Sequence, residues 1–84
     1  MGHDVLLTPF FEKQLRILKN KDKMLFERLI KKLKEIRQNP NHYKPLKNIL
    51  KGKRRAHINP FVIIFEIKEN IVIFHYVKHH DKAY

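Results

Sequence analysis

The spacing of apolar positions changes several times along the chain, and each change marks a predicted element. Residues 4–8 (DVLLT) are a short apolar run ending at Thr8, which can cap a helix that has Pro9 at its first position, where a missing N–H costs nothing. From there Phe11, Leu15 and Leu18 recur at helical spacing, with Lys13, Arg16 and Lys19 outside the stripe, until Asn20. Asp22 caps a second helix over 23–38, whose stripe is Phe26, Leu29, Ile30, Leu33 and Ile36. Glu27 and Lys31, four apart, are expected to pair on it. Asn39-Pro40 ends that helix, because a residue preceding proline disfavours helical geometry.

The period then lapses over residues 40–52, which have two prolines and read as a structured loop. Alternation of period two follows in residues 53–58, putting Ala56 and Ile58 on one face and Arg55 and His57 on the other. Asn59-Pro60 is a turn, after which FVIIFEIK (61–68) is too apolar for a strand with one wet face and is expected to be central. Glu69-Asn70 makes a tight turn into the last strand, 71–78. The expected fold is α+β in the order β-α-α-β-β-β, a single domain with a helical hairpin packed on one face of an antiparallel-rich sheet.

Charge changes this picture more than composition does. Nineteen Lys and Arg against eight Asp and Glu leave a formal net charge of +11 on 84 residues, which calls for a polyanionic partner, nucleic acid before acidic protein. The run Lys44, Lys47, Lys51, Lys53, Arg54 and Arg55 is interleaved with Leu46, Ile49 and Leu50, so it reads as a folded RNA-backbone surface rather than a solvated tail. The lysines of the second helix read equally as a solvated face or as a surface for ribosomal RNA. With no cysteine there is neither a disulfide framework nor a thiolate metal site. No apolar run approaches the roughly 20 residues that span a bilayer. No signal-peptide pattern opens the chain, so the expectation is a soluble, cytoplasmic protein without a membrane partner.

Six histidines are the candidate chemistry. His75 alternates with Ile71, Ile73 and Val77 and reads as a core or semi-buried residue, while His42 and His79 have no assigned task. A metal set of His75, His79, His80 and Asp81 is unconvincing because neighbours on an extended chain point apart. No metal or other cofactor is expected.

Read in order, the elements KPLK (44–47), LKG (50–52), the basic strand RRAHINP (54–60), IIFEI (63–67) and the tail HHDKAY (79–84) resemble the RelE/ParE toxin superfamily, most closely its RelE/YafQ-type messenger-RNA interferases. The likeness covers essentially the whole chain. It implies the toxin of a type II toxin–antitoxin system: an endoribonuclease that cuts mRNA in the ribosomal A site without metal, contacts ribosomal RNA and is silenced by a cognate acidic antitoxin. Position by position, His57 resembles the histidine of the branch's A-H-x-x-P strand, His80 its C-terminal histidine and Tyr84 its terminal aromatic. Arg55 falls near a phosphate-binding or catalytic cation, and Lys44 stands where the YafQ branch has a histidine. Phe61 replaces a functional aspartate of that branch, and Val62 an arginine of RelE.

The resemblance implies general-acid chemistry at His80, a base or stabilising role for His57, phosphate contact by Arg55, and base stacking or assisted proton transfer by Tyr84. The same superfamily holds ParE-like members that poison DNA gyrase. A non-catalytic RNA-binding module is a third possibility.

Overall fold

The structure, a computed structural model, describes residues 3–46 and 52–80. Its elements are β1 (Asp4–Leu7), α1 (Pro9–Lys21), α2 (Lys23–Gln38), a single 3₁₀ turn at Pro40–His42, β2 (Lys53–Ile58), β3 (Phe61–Lys68) and β4 (Ile71–His79). Both helix starts are set by side chains: Thr8 Oγ1 accepts from the Phe11 N–H at 3.1 Å and Asp22 Oδ1 from the Leu25 N–H at 3.1 Å. Asp22 also closes α1 with its own N–H, donated to the Leu18 carbonyl, so one residue ends one helix and begins the next. That tight link forces the two helices into a hairpin.

The strands form one sheet in the order β1-β4-β3-β2, with β1 parallel to β4 and the other pairs antiparallel. The helices cover one face. Phe11, Leu29 and Ile36 pack there against Ala56, Ile58, Ile63, Phe65, Val72 and Phe74. Phe74 is the hub, its ring 5.6 Å from Phe11 and 5.8 Å from Phe65. On the opposite face Val62 and Ile64 are also buried, which accounts for the unbroken apolar run of β3: it is an inner strand, closed on both sides.

Three features depart from the expectation. Leu25, outside the stripe read from sequence, is buried. Glu27 and Lys31 form no ion pair; Lys32 instead meets Glu35 at 3.3 Å. Residues 44–46, expected as loop, run antiparallel to the outer edge of β2, with the Leu46 N–H donating to Lys53 O and the Arg55 N–H to Lys44 O.

A fourth feature is a β-bulge. Phe65 pairs with Phe74 and Ile64 with Tyr76, leaving His75 as an extra residue on β4. Before it, even positions Val72 and Phe74 face the helices; after it, Val77 does. Among the described residues no helix is long and apolar enough to cross a membrane.

Candidate functional site

The open face and outer edge of β2 collect the histidines and cations. Alternation along β2 points Lys53, Arg55 and His57 away from the helices, opposite Glu66, Ile64 and Val62 of β3. His80 arrives from the far end of β4. Its N–H donates to the Pro60 carbonyl at 2.7 Å, which pins it beside the β2–β3 turn. The bulge at His75 sets the face: His79 pairs with Phe61 and lies edge-on to it, so His80 turns to the other side, where its ring centroid lies 5.2 Å from that of His57 at 44°.

Around His57 the surroundings are cationic. A groove of about 400 Å³ is lined by Lys32, Tyr43, Lys44, Arg55 and His57. Although exposed, His57 has its pKa lowered from the ordinary 6.5, first by partial desolvation, then by the Arg55 guanidinium, then by His80. It is therefore neutral at pH 7 and has a lone pair to accept a proton.

The residues singled out from sequence divide into three groups. His57, His80, Arg55 and Lys44 come together at this groove. Lys53 shares their face one strand position away, whereas Arg54 points to the helix side and is engaged, its Nη1 donating to the Tyr43 carbonyl at 2.7 Å. Tyr84, Lys47 and Lys51 lie outside the described residues. Phe61 and Val62, the two positions that differ from the toxin templates, are used for packing: Phe61 against the helix-facing core and Val62 buried on the open face.

The remaining histidines go to separate places. His75 Nε2 meets Glu66 Oε1 at 2.6 Å, half-buried as its alternation suggested, and His79 packs on Phe61. Lys32 was invisible as a site residue from sequence, because it lies on a helix face rich in lysine; only its position over the β2 edge separates it from its neighbours.

Comparison with known proteins agrees with this architecture. The family model described as the ParE toxin of the type II toxin–antitoxin system parDE matches residues 5–84. The candidate toxin RelE4 of Methanocaldococcus jannaschii is 39% identical over 85 residues, covering 98% of this chain and 90% of that protein. The toxin–antitoxin complex RelBE2 of Mycobacterium tuberculosis contains a chain that superposes with a TM-score of 0.82 at 18% identity, covering 94% of this chain and 99% of that one. YafQ of Escherichia coli does so with a TM-score of 0.65 at 20% identity, covering 94% of each chain. With its hairpin on a mixed four-stranded sheet and a match over nearly its whole length, the chain belongs to the ParE-toxin family of type II toxin–antitoxin systems, within the RelE/ParE superfamily.

Proposed function

We propose that this protein is a ribosome-dependent endoribonuclease that cuts messenger RNA and inhibits translation without using a metal. The observation that carries the reading is the contact between His57 of β2 and His80 at the end of β4, two imidazoles distant in sequence, beside Arg55 and Lys44.

The chemistry follows from the groups. The ribose 2′-hydroxyl attacks the adjacent phosphorus and loses its proton to a base, while the P–O5′ bond breaks and O5′ takes a proton from an acid. The products are a 2′,3′-cyclic phosphate and a 5′-hydroxyl. Neutral His57 serves as the base and His80 as the acid. The entering and leaving oxygens are only two P–O bonds apart, so rings 5.2 Å apart can reach both. Arg55 and Lys44 balance charge on the phosphorane, and Tyr84 stacks a base. Lys53 extends the backbone-binding surface, while Arg54, turned to the other face and bound to the Tyr43 carbonyl, does not; Lys47 and Lys51 are assigned RNA contacts as well, and on the ribosome the protein also meets ribosomal RNA. The activity belongs in the cytoplasm, where ribosomes are.

A cognate acidic antitoxin is the second partner, in keeping with the complex that RelBE2 forms. An apolar groove of about 300 Å³ between the hairpin and the β2–β3 turn, lined in part by Ile17, Leu18, Leu25, Phe61 and Val77 with Lys21 at its rim, suits an amphipathic acidic helix.

The ParE name of the matching family favours a second reading, a gyrase poison. Incubating the protein separately with translating ribosomes and with gyrase on supercoiled DNA distinguishes the two. Truncated mRNA is the expected result; trapped, cleaved DNA with intact mRNA would replace the first reading by the second. Salt-sensitive RNA binding without cleavage would leave a binding module.

A further inference from the structure

Two grooves meet at His57. One is the groove of Lys32, Tyr43, Lys44 and Arg55; the other, about 350 Å³, is lined by Arg28, Lys31, Lys32 and Glu35 of α2 together with His57, Ile58 and Asn59. Lys32 and His57 belong to both, so the two form one track along the outer edge of β2, with α2 as its wall. We propose that this track binds the sugar–phosphate backbone of single-stranded RNA beyond the scissile phosphate, with Arg28, Lys31 and Lys32 as a second phosphate subsite.

Four observations carry this. The track holds five cations, Arg28, Lys31, Lys32, Lys44 and Arg55, against one carboxylate, Glu35. Arg28 is held at its far end by Nη2 donating to the Asn59 carbonyl at 3.1 Å, which leaves other donors of its guanidinium for an anion.

The sheet edge adds a main-chain donor. Arg55 N–H and Lys53 C=O point outward to the bridging residues 44–46, so by antiparallel alternation the His57 N–H also points outward, one step past the end of that bridge. Among the described residues it has no main-chain partner.

Lastly, among the described residues Lys32 is restrained only by Glu35, a largely exposed pair of the kind that contributes little to stability and yields readily to a phosphate. Glu35 therefore acts as a weak internal competitor for the RNA backbone.

The inference rests on the RNA-cutting reading, and its test separates the two. A 2′-O-methyl RNA oligonucleotide, which lacks the attacking hydroxyl, is titrated into the full-length protein by fluorescence anisotropy over a salt series. For Lys31→Ala/Lys32→Ala the expected result is several-fold weaker binding, with a log–log salt slope shallower by about 0.7 for each phosphate that is no longer neutralised. Glu35→Gln is expected to bind more tightly than wild type. Lys13→Ala/Lys19→Ala on exposed positions of α1 removes the same charge away from the track and should keep the wild-type slope.

Alanine is the best helix former, so these variants keep α2 folded, as circular dichroism would verify. Equal slopes for the α1 and α2 variants would overturn the proposal, as would unchanged RNA binding alongside lost retention of poly-glutamate, which would assign the track to an acidic protein. Absence of cleavage by wild type on ribosomes would sink the nuclease reading and leave the slope measurement to decide the track.

Discussion

Gln14 of α1 grips the main chain of Val77 with both ends of its carboxamide, Nε2 donating to the Val77 carbonyl at 3.0 Å and Oε1 accepting the Val77 N–H at 2.8 Å. The side chain stands in for a strand. β1 pairs with β4 only from Ile71 to Phe74, and Thr8 then takes over, its N–H on Phe74 O and its hydroxyl on His75 O. Gln14 completes the edge, and so holds the half of β4 that leads to His80. Gln14→Ala leaves both main-chain groups of Val77 without these partners in a part-buried site. The expected loss is about 1–3 kcal/mol, read from the urea midpoint at unchanged slope.

The paired imidazoles make a sharper prediction. His57→Ala and His80→Ala should each reduce ribosome-dependent cleavage roughly a hundredfold or more, the ordinary yield of a positioned proton donor or acceptor. The double variant should be little worse than either single one, because both act in one displacement. Wild-type rates in both single variants would remove these residues from the mechanism.

The lowered pKa of His57 has a definite sign. A base works deprotonated, so activity is complete above the folded pKa and is lost as pH falls through it; the acid limb of the pH–rate profile is expected below 6.5. The charged neighbours are Arg55 on the same strand, His80 at the end of β4, Lys44, and Arg28, Lys31, Lys32 and Glu35 on α2. Arg55→Gln removes the second-largest cause of the shift and should move the limb upward. Desolvation, the largest cause, remains and keeps the limb under 6.5. A pH series of kcat/KM, whose limb reports the groups of the free protein, reads the position of the limb whatever the overall loss of rate.

Core truncation should act on folding alone. Phe74→Ala empties the space shared with Phe11 and Phe65, at a cost of about 3–5 kcal/mol. Domains of this kind have roughly 5–15 kcal/mol in total, so thermal unfolding should shift by many degrees and some preparations should be unfolded at 37 °C.

The parts of this fold that are written locally were readable in advance. Thr8-Pro9, Asp22, Asn39-Pro40, Asn59-Pro60 and Glu69-Asn70 are short-range signals, and each lies at an element boundary. Leu25 escaped because its burial depends on the β2–β3 end of the sheet, not on the periodicity of its own helix. The strand-like segment 44–46 escaped because proline hides a strand that needs few donors of its own. The site was half legible: resemblance pointed to His57, His80 and Arg55, but the Lys32 side of the groove and the Gln14 clasp join residues distant in sequence, and no local pattern announces them.

The extra residue in β4 bears on how relatives are compared. Were the same number of residues paired as a regular ladder, position 80 would fall in phase with Val72 and Phe74 and project into the helix-packed interior, stranding its imidazole from its partner. Two homologues can therefore carry the same terminal histidine and differ in whether it reaches solvent. A transplanted β4 would keep its chemistry only if the bulge reformed around the extra residue, or if both were lost together.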